Sequence, residues 1–545
     1  MNGRARNQQT VALSDDGIVQ RVRRVWGESP FYQMRLNGPA PDRLISTPED
    51  PFTPDTEFAE SFLDGRISLG SESLDFSGDR SAMWARVAPG NALYDFLHEF
   101  SWLRHMAGSN SDAREASQLL MQSWLERYEV WSDRAWQPYL TAERLVQLCA
   151  HHRLILKSTD ALWRSRVLTA MARQTRHLAL SAPKAETGFD RLMSSLGLCI
   201  AGYCLPGCEA AGLRGLEMAH RELRLQIRSD GGHVSRNPSR QLKLAVRLQQ
   251  AISAMDARGV TAPGYLRHAA SRVSAMTLFF RVGDGKLAVF NGGYEDDPRA
   301  LLYLSKAVEQ DFLPSNFARH SGYHRLSAGR SLVLLDTGND IGPTPFKGAG
   351  SLQFSAGRSR IFVNCGNGGH RASEWRTALA SAAAHSGLSY DESEKSAPQF
   401  NTIKHWRAED DKGRLVEFER TDGTDADFCM YRRRIFLSSN GGDFRGEEVL
   451  TGRAALDSAV WRFHLHPTVR VSIARDQRSA ILMTTGKEGW QFKSNCKRIS
   501  LEKSIYCGEG GTPIAGEQLV IQASDCKREN GDVFVRWALR RLDPA

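Results

Sequence analysis

A change of hydrophobic period along the chain is the feature that most constrains its fold. From Asn91 to about Phe280, apolar residues recur every three or four positions, as they do on one face of an α-helix. After Gly283, apolar and polar residues alternate in short runs that are separated by Gly, Asn and Asp turns, a pattern typical of antiparallel strands. The sequence therefore predicts a helical part followed by a β part, with the boundary at about residues 315 and 316.

The helical part is predicted to form a curved array. Eight helical runs follow one another with no strand pattern between them, and their short breaks carry helix-ending signals such as Pro206-Gly207. Such runs stack as antiparallel hairpins, which can close into an (α/α) toroid with a cleft at one end. We assign the toroid to residues 91–315. The polar residues 1–90, which are Pro-rich in the middle, are predicted as an irregular arm that packs on the helices.

The β part, residues 316–545, is predicted to be an antiparallel β-sandwich. It contains about a dozen strand-like runs. A chain of 545 residues also exceeds the roughly 250 to 300 residues at which single hydrophobic cores stop growing. The predicted fold class is therefore multi-domain α+β, with an N-terminal (α/α) helical toroid and a C-terminal β-sandwich.

The charge balance favours an anionic partner. Lys and Arg number 71 against 62 Asp and Glu, which gives a formal net charge of +9. Most of the basic residues are arginines, whose planar guanidinium suits carboxylate and sulfate groups. The sequence has no zinc-knuckle spacing, Walker loop or long basic run, so we predict no nucleic-acid partner.

Cysteine use and the N-terminus bear on the compartment. The nine cysteines are scattered without paired spacing, which is typical of reduced thiols. The first residues lack the apolar segment of a signal peptide, and no window of 18 residues is wholly apolar. We therefore predict a cytoplasmic protein without a membrane span. The sequence carries no prediction of oligomeric state.

The stretch from residue 360 to residue 392 is the first candidate site. A short strand opens into a Gly-rich turn that carries Asn364 and His370, and a Trp-Arg pair with Arg376 leads to a run of alanines ending at His385. Glycines let the backbone approach a ligand, and imidazoles titrate near neutral pH. The same residues also fit a tight turn between strands with a half-buried His385.

The helical part offers a second candidate turn, DGGHVSRNPSRQ at residues 230–241. His233, Arg236 and Asn237 crowd this turn and could contact an anionic sugar. The alternative is an Asx-type helix start, with Pro238 in the first turn.

Aromatic residues near an arginine form a third candidate. Trp136 and Tyr139 lie at a loop and helix start, and Arg144 lies just inside the same helix. Flat aromatic faces beside a guanidinium suit sugar stacking and anion capture. Aromatic residues at helical spacing also commonly form core, which is the alternative interpretation.

These stretches resemble a known family. The pattern VNCG...WR.AL...AAHSGL..D around His385 is similar to a stretch of the heparinase II/III superfamily of polysaccharide lyases, and the segment starting at Asp230 resembles the DGG turn of those lyases. The order of toroid and β-sandwich is also that of the family. The resemblance implies an acidic polysaccharide or oligosaccharide as partner. Many such lyases are exported, so the periplasm or cell envelope is the alternative location.

The chain departs from the family pattern at several positions. The family's catalytic tyrosine falls near Ser239, its histidines in the H..AGSF strand are replaced by Lys347 and Gly348, and its zinc aspartate matches Asn364. Only His385 remains from that metal set. We therefore predict no structural zinc of the family type and no other cofactor.

The resemblance implies β-elimination at a uronic acid. Such a reaction needs a group that neutralises the sugar carboxylate, a base for the C5 proton and an acid for the departing O4. The predicted catalytic residues are His385, His233, Asn237 and His370, and the predicted substrate-binding residues are Arg236, Arg376, Trp136, Tyr139 and Arg144. The alternative is a catalytically degenerate relative that binds acidic glycan or takes part in envelope polysaccharide metabolism.

Overall fold

A helical part precedes a β part, as the period change predicts. The computed structural model describes residues 24–542 except 71, 110–111, 309–314, 339–345, 370–372, 390–399, 424–427 and 453–455. No helix of the described residues is long and apolar enough to cross a bilayer. All nine cysteines are buried as free thiols.

The apolar faces of the helices pack together in a common core. We number them α1 to α15 in chain order. They are α1 (Pro30–Arg35), α2 (Thr56–Leu63), α3 (Met83–Arg86), α4 (Ala92–His98), α5 (Trp102–Ala107), α6 (Asp112–Tyr128), α7 (Pro138–Ala150), α8 (His152–Leu156), α9 (Ala161–Ser181), α10 (Phe189–Cys204), α11 (Glu209–Gln226), α12 (Pro238–Asp256), α13 (Gly264–Phe279), α14 (Pro298–Ala307) and α15 (Ser373–Ala380).

Each of the eight predicted helical runs coincides with a helix or a pair of helices. The first run is broken into α4 and α5, because Phe100 between them adopts a φ of 60° that a continuous helix does not allow. The run from residue 141 to 156 is likewise divided into α7 and α8 at His151. Helix α14 was not predicted.

The segment before residue 91 is more regular than the predicted irregular arm. It contains α1, α2, α3 and a β-hairpin, and its Phe62, Phe76 and Trp84 are buried in the core of the helical part. Its helices are too short to show a full period in the sequence. Local caps start them: the Asp55 side chain accepts a hydrogen bond of 2.9 Å from the Phe58 amide at the start of α2.

The strands form a hairpin and two larger antiparallel sheets. They are β1 (Arg66–Leu69), β2 (Glu72–Asp75), β3 (Phe317–Ala318), β4 (Tyr323–Ala328), β5 (Ser331–Asp336), β6 (Leu352–Ala356), β7 (Ser359–Val363), β8 (Leu388–Ser389), β9 (Phe400–Glu409), β10 (Gly413–Gly423), β11 (Phe428–Ser438), β12 (Asp443–Gly452), β13 (Val460–Leu465), β14 (Arg470–Ile473), β15 (Ser479–Met483), β16 (Gly489–Ser494), β17 (Ser500–Tyr506), β18 (Ile514–Gln522), β19 (Lys527–Glu529) and β20 (Asp532–Arg541).

The two larger sheets pack face to face as a sandwich. One has the order β17-β18-β13-β7-β6-β5-β4-β3 and the other β14-β15-β16-β20-β12-β11-β10-β9, with β8 and β19 paired at the side of each. Phe354 of the first sheet stacks on Phe444 of the second, with ring centroids 5.0 Å apart. Trp537 and Phe463 meet in the same core at 5.1 Å. The alternation of apolar and polar residues in the sequence predicts that every second side chain of a strand faces such a shared core.

Several strands were missed because their sequences are polar. Strand β12, DFRGEEVLTG, does not alternate simply between apolar and polar residues. Its Glu448 is fully buried, where it forms an ion pair with the equally buried Arg433. Strand β9 was missed for the same reason. Helix α14 ends at Ala307 and β3 begins at Phe317, and we retain the division at residues 315 and 316 as a proposal.

A buried ion pair joins the helical part to the sandwich. Arg236, in the turn before α12, pairs with Asp336 at the end of β5, and their side chains are 2% and 0% exposed. The Asn291 amide donates to the other Asp336 oxygen at 3.1 Å and also to the Tyr323 hydroxyl at 2.6 Å. Since four segments of the chain meet in these bonds, the helices and the sandwich are held in a defined relation.

We expect Asp336→Ala to destabilise the protein strongly. The substitution leaves the Arg236 guanidinium buried without its carboxylate, and breaking a buried pair in this way costs about 3–5 kcal/mol. A thermal melt should show a clear fall of the unfolding midpoint. In the control Asp64→Asn, which breaks an exposed pair with Arg66, the change should stay within about 0.5 kcal/mol. Equal midpoints for the two variants would contradict the role of the buried pair.

Candidate functional site

A polar cavity of about 490 Å³ lies among the helices and reaches the segment that leads to α14. The residues that line it are mostly charged, aromatic or amide-bearing. They are Asp50, Phe52, Ser101, Arg104, Tyr139, Glu143, Val146, Gln147, Ala150, Phe189, Asp190, Ser239, Arg240, Lys243, Val246, Arg247, Gln250, Tyr294 and Asp296.

Two helices contribute facing polar stripes to the cavity. On α7 the lining residues Tyr139, Glu143 and Gln147 are spaced by four, and on α12 Lys243 and Arg247 have the same spacing. Residues four apart lie on one face of a helix, so each helix presents a polar stripe while its other faces are buried in core. The cavity wall is therefore built into two regular elements, which hold its side chains rigidly.

Glu143 is the centre of the charged wall. It accepts from Arg247 at 2.8 Å and lies 3.1 Å from the Lys243 ammonium, which also donates to the Tyr139 hydroxyl at 2.8 Å. Burial acts to raise the pKa of Glu143, but the two cations outweigh it and the net pKa is lowered. Glu143 thus stays ionised at neutral pH.

The other walls carry two further arginines. Arg104 is paired with the buried Asp50 at 2.7 Å. Arg240 is exposed and forms no salt bridge within the part of the chain that the structure describes, and its guanidinium lies over the Phe189 ring at 5.4 Å from the centroid. Arg240 is therefore the cation of the wall that is most open to an incoming anion.

One loop closes the cavity on the side of the β part. It runs from Asn291 to Asp296, and these two residues have φ values of 47° and 51°, a region that non-glycine residues rarely adopt. The Ser239 hydroxyl accepts from the Tyr294 amide at 2.8 Å and donates to the Asp296 carboxylate. Asn and Asp adopt this region more readily than other non-glycine residues, so the shape of the loop follows from its residue types together with the Ser239 hydrogen bonds.

Burial raises the pKa of two side chains in this loop, Asp296 and Tyr294, to different values. It raises the pKa of Asp296 to about 7, while the Ser239 hydroxyl acts against that rise. Burial also raises the pKa of Tyr294, to about 12. At neutral pH, Asp296 therefore exchanges its proton readily and Tyr294 keeps its own, which suits a base and an acid respectively.

Several cavity atoms have no partner among the described residues. They are Oε1 of Glu143, Oε1 of Gln147 and Nε of Arg247, all on buried side chains. Buried polar atoms are nearly always hydrogen-bonded. These three atoms are themselves almost fully buried, so they add polarity to the wall and are not open contacts for a ligand.

Of the three predicted residues around α7, Tyr139 lines the cavity and the other two do not. Trp136 donates its indole N–H to the Tyr128 carbonyl at 2.9 Å and packs in a small cluster with Tyr32 and Leu36. Arg144 is fully buried on a different face of α7, where its guanidinium donates to Gln174 and to the His98 carbonyl at 2.7 and 2.6 Å. These two side chains therefore support the core, which is the alternative that the sequence left open.

The predicted turn before α12 is fully engaged in protein contacts. His233 is bonded through both ring nitrogens, to Ser235 and Gln226, and burial lowers its pKa to about 3. Arg236 pairs with Asp336. Asn237 caps α12 by accepting from the Arg240 amide at 3.0 Å. The turn therefore has the Asx-type helix start, and it holds the Arg236–Asp336 junction.

The Gly-rich stretch reaches the back of the Asn291–Asp296 loop. Asn367 donates to the Gly292 carbonyl at 3.3 Å, and the Gly369 amide bonds the Tyr294 hydroxyl. His385 is buried, its pKa is lowered by burial, and its Nδ1 donates to the Ser381 carbonyl at 2.8 Å. The Phe346 ring packs between His385 and Gly292. His385 thus supports the loop from behind.

Two other predicted residues lie elsewhere. Arg376 is exposed on α15 and does not line the cavity. His370 lies outside the described residues. The catalytic and binding roles of these two residues and of the three candidate stretches remain predictions.

The residues at the family's metal positions do not fit zinc. Asn364 accepts from the Ser386 amide at 2.8 Å and donates to the Val289 carbonyl at 2.9 Å, so its amide is engaged with backbone. Gly348, which has no ligand atom, packs directly against the His385 ring. One imidazole nitrogen and one engaged amide are a poor ligand set for a tetrahedral metal.

A second cluster of ligand-type groups is also committed to protein contacts. Glu295, His466 and Glu509 bring potential ligand atoms within 4.8 Å of one another. Glu295 is already paired with Lys286 at 2.7 Å and accepts from the Tyr506 hydroxyl at 2.6 Å. This cluster anchors the segment that follows α13 to the sandwich.

The sequence analysis missed Arg240, Lys243, Glu143, Tyr294 and Asp296. One signal could have found the first three: charged residues recur at intervals of three and four on helices whose other positions are apolar. The apolar residues alone predict the helices and carry no information on these charged positions. No local signal marks Tyr294 and Asp296, because their position depends on contacts with Ser239, 55 and 57 residues earlier.

Comparison with known proteins agrees with this architecture. Residues 313–538 match the family described as "Heparinase II/III-like, C-terminal". A crystal structure of heparinase III is similar with a TM-score of 0.72 and 14% identity, over 96% of this chain and 92% of that one. A heparan sulfate lyase HepC mutant from Pedobacter heparinus is similar with a TM-score of 0.60 and 14% identity, over 97% of this chain and 90% of that one. At such identities the likeness shows the fold.

A curated relative extends the likeness along the sequence. "FtsZ-localized protein C" of Caulobacter vibrioides (strain NA1000 / CB15N) is 26% identical over 96% of this chain and 94% of its own. The predicted fold class, an (α/α) toroid followed by an antiparallel β-sandwich, is confirmed by the structure and by the heparinase III likeness.

Asp296→Asn should stabilise the protein in a pH-dependent way. An unfolded Asp titrates near 3.9, whereas in the folded chain burial raises the pKa of Asp296 to about 7. The raised pKa favours folding fully only below the unfolded value, and this contribution is lost as pH rises from about 4 through about 7. The difference in melting temperature between Asp296→Asn and the unsubstituted protein should therefore grow across that window.

A second variant tests the cause of the pKa. Because the Ser239 hydroxyl stabilises the ionised carboxylate, Ser239→Ala should move the upper end of the window to higher pH. If the melting-temperature difference for Asp296→Asn stays constant across the window, the raised pKa is wrong.

Proposed function

We propose that the chain, whose residues 313–538 match the heparinase II/III-like C-terminal family, binds an acidic polysaccharide in the helical cavity and cleaves it by β-elimination at a uronic acid. The fold is lyase-like over nearly the whole chain. The observation that carries the proposal is the convergence of Arg240, Tyr294 and Asp296 on one cavity.

The charge of the cavity supports an acidic ligand. Four cations line it, namely Arg104, Arg240, Lys243 and Arg247. Four carboxylates line it as well, and burial raises the pKa of one of them, Asp296, to about 7. Because that carboxyl group is partly protonated at neutral pH while the four cations keep their charge, a sugar carboxylate is favoured in the cavity.

The aromatic lining supports a sugar as the ligand. Phe189, Tyr139 and Phe52 present ring surface in the same cavity. Sugar rings pack their C–H faces on flat aromatic side chains, and the polar groups between these rings would fix the orientation of the sugar.

Three residues take the roles that β-elimination requires. Arg240 pairs with the sugar carboxylate and makes the C5–H bond more acidic. Asp296 takes the C5 proton, a C4–C5 double bond forms as the C4–O4 bond breaks, and Tyr294 gives its proton to the departing O4. The proton then returns from Asp296 to Tyr294 by way of solvent. The raised pKa values of both groups match these directions of transfer.

The name of the Caulobacter relative bears on which polysaccharide is the substrate and on where the protein acts. That protein is named for localisation with FtsZ. Together with the lyase-like fold, this name supports a polysaccharide of the cell envelope as the substrate of the present chain. A cytoplasmic location, with the periplasm or cell envelope as the alternative, stays a proposal.

Binding without cleavage is the second candidate function. It is favoured by the residues at the family's catalytic positions: Ser239 replaces the tyrosine, and His385 is buried behind the Asn291–Asp296 loop. In this case the cavity retains its affinity for acidic glycan and the proton-transfer groups do not act.

An ultraviolet assay separates the two functions. We expect incubation with alginate, heparan, hyaluronan or polygalacturonate to produce the absorbance of an unsaturated uronide with at least one of them. Asp296→Asn and Tyr294→Phe should each lower the rate by about 100-fold or more, since each removes a proton-transfer group. Arg240→Ala should weaken binding of the same polysaccharide about tenfold.

Controls at an exposed pair far from the cavity make the result specific. Asp64→Asn and Arg66→Ala change the same charges outside the cavity and should leave rate and binding unaltered. Binding that is sensitive to Arg240→Ala with no absorbance on any substrate would support the second function. Binding that is insensitive to Arg240→Ala would exclude the cavity as the site.

A further inference from the structure

A patch of exposed apolar side chains lies at the start of the described chain. Val25, Trp26, Phe31 and Met34 are 71%, 51%, 74% and 67% exposed, although large apolar side chains usually find cover in the core. We call these four residues the N-terminal apolar patch. Residues 24–28 are helical and α1 follows directly, so the patch is displayed by two short helical turns.

The opposite face of the same turns is packed firmly onto the helical part. Gly27 lies against the Trp131 ring so closely that a Cβ there would overlap it. Tyr32 is buried, and its hydroxyl bonds His177 Nδ1 at 2.7 Å. Leu36 is fully buried in the same small cluster. The patch is therefore presented by an anchored segment.

Two arginines of α9 fasten this segment by its polar groups. Arg173 donates to the Gln33 and Asn37 side chains, both at 2.7 Å. Arg176 donates to the Leu36 carbonyl at 3.0 Å. These bonds hold the outward side chains in a fixed direction, which a surface used for docking requires.

The patch differs from the other exposed apolar residues. Leu162, Leu213 and Leu225 are also well exposed, but they lie singly on three different helices or helix faces. Scattered exposed leucines are normal, whereas several large apolar side chains close together mark a surface that meets a partner or a membrane.

The composition of the patch points to a lipid surface. We propose that the N-terminal apolar patch docks the protein on an anionic membrane surface. Segments that lie in a membrane interface combine Trp, Phe and other apolar side chains with arginines that reach the phosphates. Arg24 and Arg35 flank the patch and are exposed, with Glu28 as the one acidic residue between them.

The wider charge of the chain agrees with an anionic surface. The first 35 residues of the sequence contain six arginines and three acidic residues, and the whole chain has a net charge of +9. Val130, beside the Trp131 that packs on Gly27, is also 55% exposed and extends the apolar surface. Apolar side chains on a short helical segment insert among lipid headgroups without a matching recess, which a protein partner would have to supply.

Vesicle sedimentation tests the proposal with the full chain. The protein should sediment with vesicles of equal parts phosphatidylglycerol and phosphatidylcholine, and at least tenfold less with vesicles of phosphatidylcholine alone. Phe31→Glu combined with Met34→Glu should lower binding to the anionic vesicles by at least tenfold. Both side chains are more than half exposed, so the melting temperature should stay unaltered.

A matched control separates the patch from general hydrophobicity. Leu162→Glu changes a leucine that is 82% exposed on α9 and should leave vesicle binding intact. Absence of binding to anionic vesicles would overturn the proposal. An equal loss of vesicle binding in Leu162→Glu would also overturn it. So would a dimer in size-exclusion chromatography that the double variant Phe31→Glu, Met34→Glu abolishes, if the protein does not bind vesicles. These outcomes are independent of lyase activity, which the proposal does not require.

Discussion

The buried ion pair between Arg236 and Asp336 is the constraint on which the rest of the structure depends. It lies where the turn before α12, the Asn291–Asp296 loop and strand β5 meet, and Asn291 joins it by donating to Asp336. Because an unpaired charge at this depth is very unfavourable, the two halves of the molecule are held in one relation. That relation places the loop with Tyr294 and Asp296 against the cavity wall on α12.

The cavity holds a different set of groups from the one that the resemblance to the heparinase II/III superfamily implies. At the start of α12 the chain has Ser239 where that resemblance implies a tyrosine, and Ser239 holds the loop that brings Tyr294 into the cavity. The His385 ring lies behind that loop, against Phe346. In the proposed function, the proton-transfer groups therefore lie on the loop between the sandwich and the inner helix.

The fold could be predicted from the sequence because its signals are local. Periods of 3.6 and 2 depend on neighbouring residues, so the eight helical runs and most strands were found, whereas polar strands such as β12 were not. The candidate site depends on contacts across the chain. Glu143 and Arg144 are adjacent on α7, yet one lines the cavity and the other is buried on a different face of the helix. Only the packing of α7 decides between them.

A crystal structure of the Asp296→Asn variant with a uronic-acid tetrasaccharide tests the central claim most directly. We expect the sugar to lie in the helical cavity, with one carboxylate paired to Arg240 and the C5 atom of that sugar facing the side chain at position 296 and the Tyr294 hydroxyl. A tetrasaccharide bound elsewhere on the molecule, with the Arg240 guanidinium still stacked on Phe189 and no sugar among the helices, would contradict it.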